Sequence, residues 1–445
     1  MIFMRSVCIA ALVVVVQGCE TVQTTKANKA PDAVGSASVT AVSAVSPTRS
    51  VLITKSVEAT DFARLIRKGV ANAPSTAAAS SVLAAAGSRV DSARSAYQPQ
   101  LSAEGAINSD GDAVPILRLS QIIYDGGRTN KRVALRRTEA EQIYESEVAS
   151  LSARAFEAVE AIINLDRDQR LQAQAQRNVS SVGSVLDDLQ ERFDAGAGSV
   201  ADVLAGKGRL SNAQAAYDQA TLDVKYAAAA WVEVFGTQPG VVPGIPAAPT
   251  LKSANNETVL ARSPRMREAE FQTAVRQQEY ELAKVAGRPV MSGILETDFD
   301  RGLQARVGVS LPIYQGGLLK SDIATASSRL AETEERALVL RRELERALTQ
   351  ARAETSSNAA RVARAREAVR LNEQAVDAAQ GQFRLGNGSL LQTLDALREL
   401  NDARVRLVRQ DAEAKRAEYA ILAVTGDILD ALGILAPARP AQSNG

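Results

Sequence analysis

Ser120 to Gly127 reads S-Q-I-I-Y-D-G-G, and an offset of 190 residues carries it onto Ser310 to Gly317, S-L-P-I-Y-Q-G-G. The same offset carries Pro74 onto Pro264, Pro99 onto Pro289, Phe193 onto Phe383 and Gly236 onto Gly426. It also carries Gly196, Gly198 and Ser199 onto Gly386, Gly388 and Ser389. No gap is needed, so the chain holds two copies of one unit of about 163 residues. Whatever fold the first copy adopts, the second must be able to adopt as well.

Each unit opens with a helical segment, Ala-rich in the first copy. The first copy's runs from about Ala59 and, after Pro74, to Tyr97, where Pro99 ends it because the residue before proline is driven out of the helical region. Two extended runs follow. Gln100–Asn108 alternates Leu101, Ala103, Gly105 and Ile107 with mostly polar neighbours, Ser109–Asp112 is a turn, and Pro115–Tyr124 is the return strand. In the second copy Val290–Thr297 pairs with a run from Leu303 to Ile313 of clean period two. Strands of this length suit a tilted membrane barrel.

After each Gly-Gly pair the period changes. From Arg128 to Arg192 and from Leu318 to Gln382 there is no proline and one glycine apiece. A helix of that length spans about 100 Å, more than a globular domain needs. Ala326, Leu330, Thr333, Ala337, Leu340, Leu344, Ala347 and Ala351 occupy a and d heptad positions, a coiled-coil seam with small knobs. Both helices end in a matched tip, with glycine for the left-handed cap and Ser199 or Ser389 as the next N-cap. Ser199-x-x-Asp202 and Ser389-x-x-Gln392 read as capping boxes or close variants. The return helices run to Gly236 and Gly426 and are shorter than the outgoing ones. Return helix plus pre-strand helix, stacked end to end, nearly matches the outgoing helix, which places the Pro/Gly-rich linker partway up a rod.

Composition narrows the function. Aromatics are 4% and there is one Trp, so bulky material for a thick core is scarce. A net charge of +1 indicates no nucleic acid or other polyanion as partner. There is no His, which removes the commonest general base and transition-metal ligand. The only cysteines are Cys8 and Cys19, so neither a disulfide framework nor a metal cluster can be built. No carboxylates converge by spacing. The chain reads as neither an enzyme nor a holder of metal or cofactor. Gly126-Gly127 and Gly316-Gly317 lack the Lys-Ser/Thr of a phosphate loop and serve instead as strand-to-helix hinges.

The N-terminus reads as an export signal, with Arg5 before an apolar core from Val7 to Val16. It ends in Val16-Gln17-Gly18-Cys19, which resembles the lipobox of bacterial lipoproteins and makes Cys19 the acylation candidate; a plain signal peptide is the alternative. The expected organisation is a signal over 1–18, a lipid-anchored flexible tether over 19–58 and a first repeat over 59–236. An equatorial linker (237–263), a second repeat (264–426) and a C-terminal tail (427–445) follow.

Four strands cannot close a barrel, since the smallest natural ones use about eight. An open sheet in lipid leaves unpaired edge groups that cost several kcal/mol each. The strands must therefore pair with other copies, and three chains would supply about twelve strands by this count. Arg118 and Arg306 are expected to face the lumen, because a charge facing lipid costs about 2–4 kcal/mol at the midplane. Tyr124 and Tyr314 sit at strand ends, as interfacial aromatics or as packing residues.

The sequence resembles the TolC family of outer-membrane efflux and secretion channels. The resemblance rests on Tyr97-Gln98-Pro99-Gln100-Leu101-Ser102, on Leu119–Gly127 and Val309–Gly317, and on the two tips with their return helices. It implies a mainly α fold with a small β part, two tandem repeats that trimerise into a 12-stranded β-barrel continued by an α-helical periplasmic tunnel. It implies a homotrimer in the outer membrane of a Gram-negative bacterium, in contact with its lipid. The partners it implies are a periplasmic adaptor and an inner-membrane ABC or proton-driven transporter, in a tripartite efflux pump or type I secretion system. At the tips it makes Asp202, Asp395 and Arg384 candidates for closing the periplasmic entrance. Carboxylates early in a helix also cap it and favour its dipole by about 0.3–1 kcal/mol, and both readings stand for Asp202 and Asp395. A periplasmic coiled-coil adaptor would share the hairpins and the lipid anchor. It would carry one hairpin between flanking β domains instead of a doubled strand pair.

Overall fold

A computed structural model of the chain describes Ile53 and residues 56–107, 113–251, 255–298, 302–385 and 389–439. Helices α1 (Asp61–Asn72) and α2 (Pro74–Arg94) lead into strands β1 (Gln100–Ile107) and β2 (Ala113–Tyr124). Helix α3 (Arg128–Asp194) runs out for 67 residues and α4 (Val200–Phe235) returns for 36. After a short α5 (Asn256–Leu260) the second copy repeats the plan with α6 (Pro264–Val285), β3 (Val290–Asp298) and β4 (Gly302–Ser310). Helices α7 (Leu318–Arg384) and α8 (Leu390–Thr425) have the lengths of α3 and α4, and α9 (Ile428–Leu432) follows.

The four strands form one antiparallel sheet in the order β1-β2-β3-β4. The two hairpins share one register: Gln100 stands opposite Ser120, and Val290 opposite Ser310. β4 stops at Ser310, short of the Ile313 expected from its alternation. The equivalent stretch of β2 is held as strand through Tyr124 by pairing with β3, whereas among the described residues β4 has no strand on its outer side. Pro312 lacks an N–H as well and cannot extend a ladder. β2, conversely, begins at Ala113, before the Pro115 expected to open it.

Helix α3 is the spine of the rod, with α2, α4, α6 and α8 all packed against it. Ala86 and Val90 of α2 meet Ala140 in its first third. Gly206 of α4 lies against Leu186 and Leu189 near its far end. The two shorter helices thus share the length of the long one. On α7, Thr333 and Leu344 are buried and the other six seam residues are half-buried, so the heptad marks its packed face.

The main core lies where these helices meet. Phe62 and Ile66 of α1, Ile162 of α3, Trp231 and Phe235 of α4, Tyr419 and Leu422 of α8, and Leu429 of α9 are buried there together. The linker closes over it: Tyr419 Oη donates to the Pro246 carbonyl at 3.2 Å, and Ala248 N donates to Glu418 Oε2 at 3.1 Å. Ile53 and Val57, expected in the flexible tether, are buried in this core instead. Ile53 bridges Leu251, and Val57 N donates to the Ala431 carbonyl at 3.1 Å. Apolar side chains with backbone partners are held in place, so the structured part starts before the helical pattern does. No described helix is long and apolar enough to cross a membrane.

Phe62 is fully buried, with its ring centroid 5.5 Å from that of Tyr419. Phe62→Ala should lower unfolding stability by about 3–5 kcal/mol. Thermal loss of helical circular dichroism in detergent checks this, and an unchanged midpoint would mean that the equatorial core is not what holds the rod together.

Candidate functional site

The sheet has two chemically opposite faces. On one, Leu101, Leu117, Leu119, Leu303, Val307 and Val309 are exposed. Alternation places Glu104, Arg118, Glu296 and Arg306 on the other. Arg118 stands opposite Glu296 in the register. Its Nη1 lies 2.9 Å from Glu104 Oε1 and its Nε 3.4 Å from Glu296 Oε2. Arg306 Nη2 reaches the same Glu296 oxygen at 2.8 Å. A row of alternating charges therefore crosses all four strands, with two acids offsetting two bases. Arg118 and Arg306, for which a lumenal position was expected, both lie on the face opposite the apolar one. Their acidic partners were legible only as polar positions of the same parity.

Each strand-to-helix hinge is a pair of left-handed glycines, with φ of 64° and 86° at Gly126 and Gly127 and of 59° and 86° at Gly316 and Gly317. A side chain there would be strained, which is why glycine is needed. At Gly126 an added Cβ would also overlap the Arg288 side chain, whose Nη1 donates to the Gly126 carbonyl at 2.8 Å. Asp125 caps α3: its Oδ1 accepts from Gly127 N at 3.0 Å and its Oδ2 from Thr129 N at 2.6 Å. Partial burial pushes this carboxyl up, but hydrogen bonds from Thr129, Gly127 and Arg128 outweigh it and hold the group below the usual aspartate range. The second hinge has Gln315 at this position, with no charge to offer the helix N-terminus.

At the far end of the rod the tips of the two hairpins share one cluster. Val182, Val185, Leu189 and Val203 of the first pack with Val376, Phe383, Leu394 and Leu397 of the second. Arg192 stacks on the Phe383 ring at 3.7 Å and donates to its carbonyl at 3.4 Å. The first tip closes as a Schellman turn: Ala197 N donates to the Arg192 carbonyl and Gly196 N to that of Phe193, both at 2.9 Å, with Gly196 at φ 73°. Gly198 sits against the Phe193 backbone, where a Cβ would come within 2.8 Å of its nitrogen.

The N-caps depart from the expected boxes. Ser199 Oγ accepts from Ala201 N at 3.1 Å, one residue short of Asp202, and Asp202 N goes to the Ser199 carbonyl instead. Ser389 makes no side-chain cap bond, and only its carbonyl meets α8, accepting from Thr393 N at 3.4 Å. Both serines have extended backbone dihedrals, so the cap geometry forms without the reciprocal side-chain bond. Asp202 is half-buried on α4 beside the buried Val203. Asp395 is exposed beside the buried Leu394 and pairs with Arg209 Nη2 of α4 at 2.8 Å. The tips thus bring Asp202, Asp395, Gly196, Gly198, Ser199 and Ser389 to one end of the rod. The hinge glycines lie next to the sheet. Cys19, Gly386, Gly388 and the Arg384 side chain lie outside the described residues. Neither Arg192 nor Arg209 was singled out from the sequence, because each draws its meaning from a partner about 190 residues away in the chain.

The Arg209–Asp395 pair leaves 30% and 53% of its side chains exposed, so solvent screens it and it contributes about 0.2–1 kcal/mol. Leu394, at 2% exposure, is the opposite case. Asp395→Asn should change unfolding stability by less than about 1 kcal/mol, whereas Leu394→Ala should cost about 2–5 kcal/mol. Denaturant unfolding of the two variants side by side checks the contrast, and a large loss in Asp395→Asn would make that carboxylate structural.

Comparison with known proteins agrees with this geometry. The model of the outer membrane efflux protein family matches residues 65–237 and 256–427, one match for each repeat. The outer membrane efflux protein BepC of Brucella suis is 25% identical over 371 residues, covering 77% of this chain and 80% of that protein. Among solved structures, the outer membrane protein VceC of Vibrio cholerae superposes with a TM-score of 0.72 at 17% identity, over 82% of this chain and 96% of that one. The outer membrane channel CmeC of Campylobacter jejuni gives 0.73 at 16% identity, over 82% and 86%. With both repeats matched and the fold shared, the chain belongs to the outer membrane efflux protein family.

Proposed function

We propose that three copies of this chain close a 12-stranded barrel in the outer membrane of a Gram-negative bacterium, continued by a helical tunnel into the periplasm, and that this assembly passively conducts exported substrates. The observation that carries the reading is the sheet: apolar on one face, charged on the other and, among the described residues, unpaired along both outer edges. Such a sheet is stable in lipid only when its edges are paired by further strands. The apolar face meets acyl chains and the charged row lines water. The hairpins, α3 with α4 and α7 with α8, reach about 100 Å from it.

In this reading a periplasmic adaptor and an inner-membrane transporter, ABC or proton-driven, load the conduit from below. An efflux pump and a type I secretion system use such a conduit alike. Cys19 anchors the chain by its acyl groups. Asp202, Asp395 and Arg384 stand at the periplasmic entrance, and the Asp395–Arg209 bond is one of the contacts that would part when it widens. The adaptor alternative has no observation in its favour, since the strand pair is present twice and the family match covers both repeats.

The assembly is tested by fractionation and planar bilayers. Trimers in the outer-membrane fraction with unitary conductance steps are expected; a chain that stays soluble, or bilayers without steps, would refute it. The lumenal row sharpens the test. Glu104 and Glu296 balance Arg118 and Arg306, and Glu296 serves both arginines. Glu296→Gln should therefore leave one excess positive charge per chain on the wall and shift the reversal potential in a salt gradient toward anion selectivity. An unchanged reversal potential would place the row away from the conducting path.

A further inference from the structure

We infer that the rod carries a binding site for a single-chain anionic amphiphile, of which a medium-chain fatty acid is the simplest. The site is a cavity of about 450 Å³ where α1, α2 and α3 meet the chain that follows α9. It uses no part of the sheet, so it goes beyond the conduction proposed above and stands without it. Val70, Ala71, Ala79, Leu151, Ile434 and Leu435 give it an aliphatic lining, and no aromatic ring among the described residues joins them. Small-ligand sites occupy about 300–1,000 Å³, and an aliphatic lining suits an alkyl chain better than it suits water. The tail is fastened before and after its passage over the cavity: Ile434 N donates to the Leu429 carbonyl at 2.8 Å, and Arg439 lies 5.0 Å from the Tyr144 ring centroid. Between these points Leu435 is 90% exposed, so the cavity opens to solvent beside it.

Two guanidiniums reach this cavity, and they differ in what they hold. Arg67 is engaged: its Nη1 donates to the Glu58 carbonyl at 2.9 Å and to the Leu432 carbonyl at 2.6 Å. Arg154 is different, for its Nε is buried and has no hydrogen-bond partner among the described residues. A buried donor left unpaired is costly, and a carboxylate satisfies a guanidinium well because it can accept two parallel bonds. Glu147, also in the lining, stands seven residues earlier on α3, about 10 Å along the axis. An anionic head is therefore drawn to the Arg154 end of the cavity and kept from the other. The second copy shows that the fold does not require this space. The 190-residue offset carries Val70, Thr76 and Arg154 onto Leu260, Met266 and Leu344. There the junction is packed: Leu260 and Leu344 are 3% and 2% exposed, and Met266 packs against them. The first copy, with the smaller Thr76 and a charged Arg154, leaves the corresponding junction open and basic.

Photolabelling tests the site. The full chain in lipid nanodiscs is irradiated with dodecanoate carrying a diazirine on its alkyl chain, and the labelled peptides are mapped. Label is expected on residues 74–80 and 433–438; excess plain dodecanoate should suppress it, and dodecyltrimethylammonium should not. Arg154→Gln should cut this labelling about tenfold, the effect of losing one hydrogen bond to a charged group. Thr76→Met with Arg154→Leu, the side chains of the second copy, should bring it to background while the thermal midpoint of helical circular dichroism holds or rises. Arg154→Gln protein that labels like the unsubstituted chain would overturn the assignment, whatever the double variant does. So would equal competition by the cationic amphiphile, or label at these peptides no stronger than on the other helices. Conductance steps in planar bilayers judge the channel reading separately, since no outcome here bears on them.

Discussion

Everything at the membrane end of this protein follows from one requirement: a peptide group in hydrocarbon needs a partner. The sheet meets it along its three internal ladders and fails to meet it along β1 and β4. In the proposed assembly the apolar face meets lipid, and lipid would make those two edges untenable alone. Oligomerisation in the proposed assembly is thus a condition of the fold itself. The charged row on the other face has the same origin, since cross-strand pairing lets four ionised groups sit on adjacent strands at little cost.

Away from the membrane the problem is different. An isolated helix of 67 residues in water has one packed face to find along its whole length, and a 36-residue return helix covers only part of it. The chain solves this by laying α2 and α4 in succession along α3, and by letting the linker, Ile53, Val57, α1 and α9 gather over the place where they meet. Large apolar residues are scarce and are concentrated there and at the tips, while Ala serves in between. Close-packed small residues suffice where helices run parallel, whereas chain crossings need Phe, Trp and Tyr to fill the space.

Much of this was legible in the residues. Period two marked the strands, the long proline-free runs marked α3 and α7, and the a/d positions from Ala326 to Ala351 marked the packed face of α7. What could not be read was whatever depends on contacts between the copies of the unit. Ile53 looks like part of a polar tether until Leu251 lies beside it. Ser389 looks like the match of Ser199, yet only the Ser199 side chain bonds its helix. Asp395 reads as a gate or helix-dipole carboxylate until the first hairpin brings Arg209 to it. β4 reads as a full-length strand because alternation reports a side chain's environment and says nothing of whether the backbone has a neighbour.

The two hinges are alike in backbone and unlike in chemistry. Asp125 holds the amides of Gly127 and Thr129 and Arg288 grips the Gly126 carbonyl, whereas the offset places Gln315 and Gln98 at the corresponding positions. Around the proposed ring of three such chains, firmly braced and weakly braced joints would alternate, so six joints of like backbone would fall into two sets of three. Bending of the proposed barrel against the rod would be taken up at every second joint, and the ring would be mechanically threefold even with a backbone close to sixfold.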